Sequence, residues 1–183
     1  SAETADAVYD QIADCLATDA YRPRALFERF NIEAISTTES ALDDLKWHKM
    51  IRESGWAGRV ITTYRPDAVV DPEFEGFARN VQVFGQLTDE DTTSWTGYLA
   101  AHRKRRAFFK AVGGATASDH GHPTARTEDL PAAQAAALFA KALEGSCSPE
   151  EADQFRGHML TEMARMSLED GLVLQIHSGS SRN

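Results

Sequence analysis

The feature that most constrains the fold is a strand, a helix and a second strand that follow one another closely early in the chain. The strands are predicted at 32–37 and 59–64, the second ended by Pro66, and a polar helix is predicted between them at about 41–52. A strand–helix–strand unit of about 30 residues is typical of a crossover between parallel strands, because antiparallel neighbours need only a short turn. The spacing therefore predicts an α/β fold built on a parallel sheet.

Two more strands complete the predicted sheet, at 114–118 (GATAS) and 172–176 (LVLQI). Ser148 and Glu151 form a capping box that opens the last helix. The helices that fill the intervals are predicted at 5–16, 23–30, 74–87, 95–112, 131–143 and from Pro149 to Gly171. The chain is predicted to be a single segment, 1–183, in which 71–112 is too long for one crossover and forms a helical insertion.

Polar and mostly ionisable residues follow each predicted strand. In parallel α/β folds, reactive groups lie at the carboxyl ends of the strands. In strand order, the residues are Thr37, Thr38 and Glu39; Arg65 and Asp67; Asp119, His120 and His122; and His177, Ser178, Ser180 and Arg182. Their register predicts an active-site rim along one edge of the sheet.

These positions also allow purely structural interpretations. Arg65 could cap a helix or pair with Asp67. The pair of His120 and His122 could bind a metal ion, since imidazole is a common ligand, or could belong to a turn, which is favoured for His122. His177 follows an apolar strand, so its side chain either enters the mouth of a barrel or is a hydrogen-bonded core histidine.

The composition argues against several classes of partner. A net charge of −9 gives no overall attraction for nucleic acid or for anionic membranes. No apolar run reaches the roughly 20 residues that cross a bilayer. Cys15 and Cys147 lack metal-type spacing, and no leader precedes the first helix, so a reduced, cytoplasmic protein is expected.

Two helix faces are predicted to be structural. The basic run 102–106 is interpreted as the solvated side of an amphipathic helix. Met159, Met163 and Met166 recur on one face of the last helix and are predicted to pack in the core.

Beyond these patterns, the chain resembles the uronate isomerases of the amidohydrolase superfamily along nearly its whole length. The runs that carry the resemblance are RPRALFERFNIEAISTTESALDDL, GRVITTYRPDAV, ATASDHGH and LTEMARMSLEDGLVLQIHSGSSRN. The resemblance is most specific at Thr37 and Thr38, at Asp43 and Asp44, at Tyr64 to Asp67, and from His177 to Asn183.

The resemblance implies an enzyme that interconverts D-glucuronate with D-fructuronate, and galacturonate with tagaturonate, by metal-assisted proton transfer. It implies a distorted TIM-type (β/α)₈ barrel with a helical subdomain and one divalent metal, usually zinc. The chain would be a middle segment of that barrel. The family's His-x-His metal pair would precede Ser1 and its late-barrel Asp would follow Asn183, so the segment alone is expected to bind no catalytic metal and to be inactive.

The resemblance also assigns roles to individual residues. A planar guanidinium suits a substrate carboxylate, because it donates two parallel hydrogen bonds. His177 would lie beside the metal and a substrate oxygen, either as a ligand or only as a hydrogen-bond partner, while His120 and His122 are weak metal candidates. The implied substrate-binding residues are Arg65, Arg182 and Thr38, and the implied catalytic residues are His177, Asp119 and His120.

Two other functions remain open. One is a metal-dependent hydrolase of the amidohydrolase type, and the other is a non-catalytic helical binding or assembly module. The isomerase and the hydrolase are distinguished by comparing turnover of glucuronate with turnover of a panel of esters and lactones. A non-catalytic module is distinguished from both enzymes by its metal content and its lack of activity. A small-molecule uronate is the expected ligand, and formation of a homo-oligomer is left open.

Overall fold

Four strands form one sheet within residues 2–179, which are the residues that the computed structural model describes. Each neighbouring pair of strands is parallel, so the prediction of a parallel sheet is confirmed. In their order across the sheet, the strands are β1 (Ile35–Ser40), β2 (Val60–Arg65), β3 (Ala117–His120) and β4 (Val173–Ile176).

Helices precede and connect these strands much as the sequence predicts. Ser148 accepts a hydrogen bond from the Glu151 N–H and the Glu151 side chain accepts one from the Ser148 N–H, so the predicted capping box is confirmed. No described helix is both long and apolar enough to cross a membrane. The α-helices are α1 (Ala5–Leu16), α2 (Pro23–Arg29), α3 (Lys46–Glu53), α4 (Asp67–Val70), α5 (Phe77–Thr88), α6 (Trp95–Gly113), α7 (Ala132–Glu144) and α8 (Pro149–Asp170).

Strands β1 and β3 begin three residues later than predicted, because the caps of the preceding helices occupy the expected first residues. After α2, Asn31 takes a φ of 49° and the Ile32 N–H donates back to a carbonyl of that helix. After α6, Gly114 takes a φ of 65° and the Ala115 N–H does the same. A left-handed residue ends a helix efficiently but cannot belong to an extended strand.

Helix α3 also begins later than predicted, at Lys46. The carbonyl of Ser40 accepts a hydrogen bond from the Asp43 N–H, and Leu45 takes a φ of 55°. The chain therefore turns over 41–45 before the helix starts.

One face of the sheet is covered by helices. The hydroxyl of Tyr64 on β2 lies 2.8 Å from Nδ1 of His102 on α6, and its ring packs edge-on against Phe109 of the same helix. Aromatic rings also join the helices to one another: Tyr98 of α6 stacks on Phe139 of α7 with centroids 4.3 Å apart, and Phe139 stacks on Phe155 of α8. The core therefore lies between β2 and helices α6 to α8.

The opposite face of the sheet carries polar side chains. Successive residues of a strand point to opposite faces and paired residues of parallel strands point to the same face. Since Tyr64 points to the helices, its neighbour Arg65 and the residue after its partner Ser118, which is Asp119, point away from them. Thr38 and Gln175 share that face by register and are exposed. We call this the site face.

The predictions for the two helix faces have different outcomes. Met159, Met163 and Met166 are buried, as predicted. The prediction that the basic run 102–106 is solvated is wrong, because His102, Arg105 and Arg106 are buried. Their burial is tolerated because acceptors meet them inside the protein: Arg106 forms an ion pair with Asp170, and Arg105 donates to the carbonyls of Ala41 and Asp43. Helices α5 and part of α6 fill the predicted insertion, whose bounds at 71–112 stay a prediction.

Candidate active site

The carboxyl ends of β2, β3 and β4 bring together a cluster of charged side chains on the site face. Its members are Arg65 at the end of β2, Asp67 at the start of α4, Asp119 on β3 and His177 just after β4. The ends of parallel strands meet at one edge of the sheet, which is why residues separated by more than 50 positions become neighbours here. We call these four residues the rim cluster.

Arg65 lies at the centre of the rim cluster. Its Nε donates to Oδ2 of Asp67 at 2.8 Å, and its Nη2 lies 3.4 Å from Oδ2 of Asp119. The side chain is 19% exposed, so it is held inside the rim but can still be reached from solvent. The pairing of Arg65 with Asp67 that the sequence allows is thus confirmed, and Arg65 is at the same time beside the second carboxylate.

Asp119 and His177 form a short hydrogen bond. Oδ1 of Asp119 lies 2.6 Å from Nε2 of His177, a distance at which the two lone pairs would repel each other unless a hydrogen lies between them. Nη2 of Arg65 is also 3.0 Å from the same Nε2, but one nitrogen cannot donate to Asp119 and accept from Arg65 at once. The shorter contact decides the tautomer: Nε2 of His177 carries the hydrogen, and Asp119 accepts it.

The backbone of Gly121 passes close to three members of the rim cluster. Its N–H donates to Oδ1 of Asp67 at 3.2 Å. A Cβ at this position would lie 3.0 Å from Nη2 of Arg65, from Oδ2 of Asp67 and from Cε1 of His177. A side chain at this position would therefore press on the charged groups, which would have to shift by a few tenths of an ångström.

His120 and His122 lie behind the rim cluster rather than within it. His120 alternates with Asp119 and points toward the helices, where its Nε2 is 3.1 Å from the hydroxyl of Ser118. Burial, followed by the charge of His122, holds the pKa of His120 well below its usual value, and burial also lowers the pKa of His122. Both rings are therefore neutral at pH 7. The catalytic role that the resemblance gives to His120 stays a prediction.

The remaining residues predicted for the site have different positions. Thr38 is on the site face and exposed, one strand away from Asp119 and His177. Its neighbour Thr37 points to the helices and bonds to Glu39 at 2.9 Å and to Nε2 of His48 at 3.0 Å. Arg182, together with Ser180, lies outside the described residues.

Two residues of the site were not assigned a role from the sequence. Asp67 was placed on the predicted rim, with a pairing to Arg65 as the structural alternative, and Gly121 was not predicted as a residue of the site. A signal was present in both cases, because Asp67 follows Arg65 by two residues across a proline, and Gly121 interrupts the run of polar residues after β3.

The arrangement suits proton transfer next to an anion. A carboxylate that is hydrogen-bonded to an imidazole can take a proton from a bound oxygen and give it back. A guanidinium beside the pair can hold an oxyanion and keep it in place. Each role is available on the site face, at the solvent-accessible edge of the sheet.

Comparisons with known proteins agree on one family. A family model described as glucuronate isomerase matches residues 1–183. A uronate isomerase of Mesorhizobium japonicum is 64% identical over 182 residues, and one of Rhizobium meliloti is 61% identical over 183 residues. Both alignments cover 100% of this chain and 39% of the relative, so the chain spans about two fifths of the length of these curated relatives.

Solved structures give the same result. The crystal structure of glucuronate isomerase from Caulobacter crescentus matches 100% of this chain and 38% of its own with a TM-score of 0.93 and 56% identity. That of uronate isomerase from Thermotoga maritima matches 97% of this chain and 39% of its own, with a TM-score of 0.87 and 26% identity. These likenesses confirm the predicted fold class, a partial (β/α) barrel with parallel strands and a large helical insertion.

Proposed function

Because this chain belongs to the glucuronate isomerase family, we propose that the full-length protein that contains it is a uronate isomerase. It would interconvert D-glucuronate with D-fructuronate, and galacturonate with tagaturonate. The observation that carries the proposal is the rim cluster, in which a guanidinium and a hydrogen-bonded Asp–His pair lie side by side on the site face.

An aldose–ketose isomerisation moves protons between neighbouring carbons and between their oxygens, and no bond to a leaving group breaks. The hydrogen-bonded pair of Asp119 and His177 can accept a proton from a substrate oxygen and return it, as general acid–base chemistry requires. Arg65 would hold the carboxylate of the uronate, which lies at the opposite end of the sugar from the reacting carbonyl. Arg182, by resemblance, would hold a second group of oxygens, and Thr38 would contact the substrate from β1.

The family resemblance also implies a divalent metal, usually zinc. Within the described residues, no group of three or more His, Cys, Asp and Glu side chains could hold a metal ion. His120 and His122 do not provide a site by themselves, since two histidines supply fewer than the three or four protein ligands of a zinc site. The described residues thus do not fit a resident metal on their own, and no step proposed here runs through one. A zinc ion in the full-length protein stays a prediction.

A cytoplasmic location and a role in carbohydrate metabolism belong to the same proposal. The thiols of Cys15 and Cys147 are both free, as is usual for proteins of a reducing compartment. A uronate is the proposed small-molecule partner. Nucleic acids and anionic membranes are not proposed as partners, because the net charge of the chain is −9.

The first experiment measures which reaction the full-length protein catalyses. Glucuronate and galacturonate are tested beside a panel of esters and lactones. Turnover of a uronate without hydrolysis of the panel supports the isomerase. Hydrolysis without uronate turnover would favour the amidohydrolase-type hydrolase, and no turnover at all in the metal-loaded protein would favour a non-catalytic module.

The second experiment removes the arginines one at a time. Arg65→Met and Arg182→Met should each lower kcat/KM for uronates about ten- to a hundredfold, because a charge-assisted hydrogen bond contributes about 1.5–3 kcal/mol. Arg65→Lys should restore only part of the loss, since an ammonium lacks the planar fork. Metal content should not change. Wild-type efficiency in either Met variant would contradict the assignment.

Arg59 offers a matched control. It is an exposed arginine immediately before β2, at the opposite end of the strand from Arg65. Arg59→Met removes the same charge from the same strand but far from the rim cluster, so kcat/KM should stay within about twofold of wild type, as for most exposed substitutions.

A further inference from the structure

The carboxylate of Asp67 bridges two elements that carry the rim cluster. Its Oδ2 accepts from Nε of Arg65 at 2.8 Å, and its Oδ1 accepts from the backbone N–H of Gly121 at 3.2 Å. Asp67 thus ties the end of β2 to the chain that leaves β3. With 21% of its side chain exposed, it lies at the same depth as Arg65.

The contacts of Arg65 determine which of its nitrogens can meet a ligand. Nε is engaged with Asp67, and Nη2 faces Asp119 and His177. Among the residues that the structure describes, none accepts a hydrogen bond from Nη1. The guanidinium is planar, so fixing Nε and the direction of Nη2 also fixes the direction of Nη1.

Two carboxylates compete for this one guanidinium. Asp67 holds it at 2.8 Å, whereas Asp119 is 3.4 Å away and keeps its other oxygen 2.6 Å from His177. Without Asp67, the favourable arrangement for Arg65 is a bidentate pair with Asp119. To form that pair, the guanidinium would rotate so that both terminal nitrogens face Asp119. The rotation would draw Asp119 away from its hydrogen bond with His177.

We propose that Asp67 is a positioning residue that holds Arg65 back from Asp119 and presents Nη1 to a substrate oxyanion. The inference rests on the proposed function for the identity of that oxyanion, the carboxylate of a uronate. Asp67 does not touch the substrate. It acts through Arg65, and it keeps the anion-binding and proton-transferring halves of the site separate.

The test is a double-mutant cycle in the full-length protein with glucuronate as substrate. Asp67→Asn removes the negative charge and replaces one of the two acceptor oxygens with an amide NH2, which faces a donor in either orientation, so the hold on Arg65 is weakened. KM should rise and kcat/KM should fall about ten- to a hundredfold, the usual effect of a displacement of about 1 Å in an active site. In the Arg65→Met background, the same Asp67→Asn change should have little further effect, because the group it positions is gone. Asp67→Ser, which suits the first turn of a helix, is the second variant if Asp67→Asn does not fold.

Asp71→Asn is the matched control. Asp71 follows α4 closely in the chain, but its carboxylate pairs with Arg156 instead of Arg65. Asp71→Asn removes one acid from the other end of the same short helix, so KM should stay near the wild-type value. Equal KM increases in Asp67→Asn and Asp71→Asn would mean that the lost negative charge alone explains the effect, and would overturn the proposal.

The outcomes separate this inference from the proposed function. Additive losses in the double variant would overturn the positioning role while uronate turnover still stood. If the wild-type protein did not turn over uronates, the proposed function would fail, and a crystal structure of full-length Asp67→Asn would then decide the inference. A guanidinium rotated toward Asp119 supports it, and an unmoved guanidinium overturns it.

Discussion

The ion pair between Arg106 and Asp170 leads to a stability prediction whose size follows from burial. Nε of Arg106 is 2.6 Å from Oδ2 of Asp170, and Nη2 is 2.9 Å from Oδ1. The side chain of Arg106 is 0% exposed and that of Asp170 is 22% exposed. Asp170→Asn leaves a cation inside the protein without its counter-ion. Removing one partner of a buried pair costs about 3–5 kcal/mol, and we expect the free energy of unfolding to fall by that amount.

The same two helices supply a control with the same geometry and different burial. Arg103 of α6 forms a two-pronged pair with Glu169 of α8, at 2.7 and 2.8 Å. These side chains are 43% and 49% exposed. An exposed pair contributes about 0.2–1 kcal/mol, so Glu169→Gln should cost several times less than Asp170→Asn.

The assay is urea unfolding of the full-length protein at pH 7, followed by tryptophan fluorescence, since Trp95 packs against the core ring of Phe139. A double variant, Arg106→Met with Asp170→Asn, should be more stable than Asp170→Asn alone, because it leaves no unpaired charge inside. Equal losses for Asp170→Asn and Glu169→Gln would refute the argument that burial determines the cost.

Acid should remove the same contribution. Burial by itself would raise the pKa of Asp170, but the hydrogen bonds and charge of Arg106 outweigh it and hold the pKa below its usual value. A carboxyl whose pKa is lower in the folded state stabilises the protein above its unfolded pKa, about 3.9, and the contribution is lost as the pH falls through the folded value. The difference between wild type and Asp170→Asn should therefore shrink below about pH 4.

Two further predictions concern the site and the core. Gly121→Ala places a methyl group 3.0 Å from Arg65 and His177, so kcat/KM for uronates should fall about tenfold or more while the urea midpoint changes little; unchanged kinetics would show that the cluster can yield without cost. Burial, followed by the charges of Arg106 and Arg103, holds the pKa of His102 well below its usual value. Below about pH 6.5 the unfolded chain therefore takes up a proton that the folded protein does not. The free energy of unfolding should fall with decreasing pH by up to about 1.4 kcal/mol per pH unit for this group. His102→Gln should flatten that decline in a pH series of urea midpoints, and an unchanged slope would contradict it.

The parallel sheet could be predicted because its signals are local. β-branched runs mark the strands, and the helices between them fix their relative direction. The starts of β1 and β3 could not be placed, because they depend on how the preceding helices end. Asn31 ends α2 by taking a positive φ, and nothing in the run that follows distinguishes Ile32, which closes that helix, from Ile35, which opens the strand.

The burial of the basic run shows a different kind of failure. The charge content of the run suggested a solvated face, but the spacing of its residues indicates a buried one. Spacings of four, four and three residues place four side chains on one side of the helix, namely Tyr98, His102, Arg106 and Phe109. The aromatic ends of that stripe point into the core, so the basic residues between them must follow. Periodicity was the better guide here because a helix cannot turn two of its residues inward without those between them on the same face.

Arg65 and Arg106 are the same residue type, and the sequence separates them only by position, since Arg65 ends a strand and Arg106 lies within a helix. The difference is in how far their hydrogen-bonding capacity is satisfied. Arg106 has acceptors at each nitrogen, namely Asp170 at Nε, Asp170 and Ser167 at Nη2, and the sulfur of Met163 at Nη1. Arg65 is held by carboxylates on one side only, and no described residue accepts a hydrogen bond from its Nη1. A buried cation whose donors are all matched stabilises the fold, whereas one that is held in place with a donor left over is prepared for a ligand. That distinction depends on partners far apart in the chain, Ser167 and Asp170 for one arginine and Asp119 and His177 for the other, and so it becomes visible only when the helices and strand ends are in place.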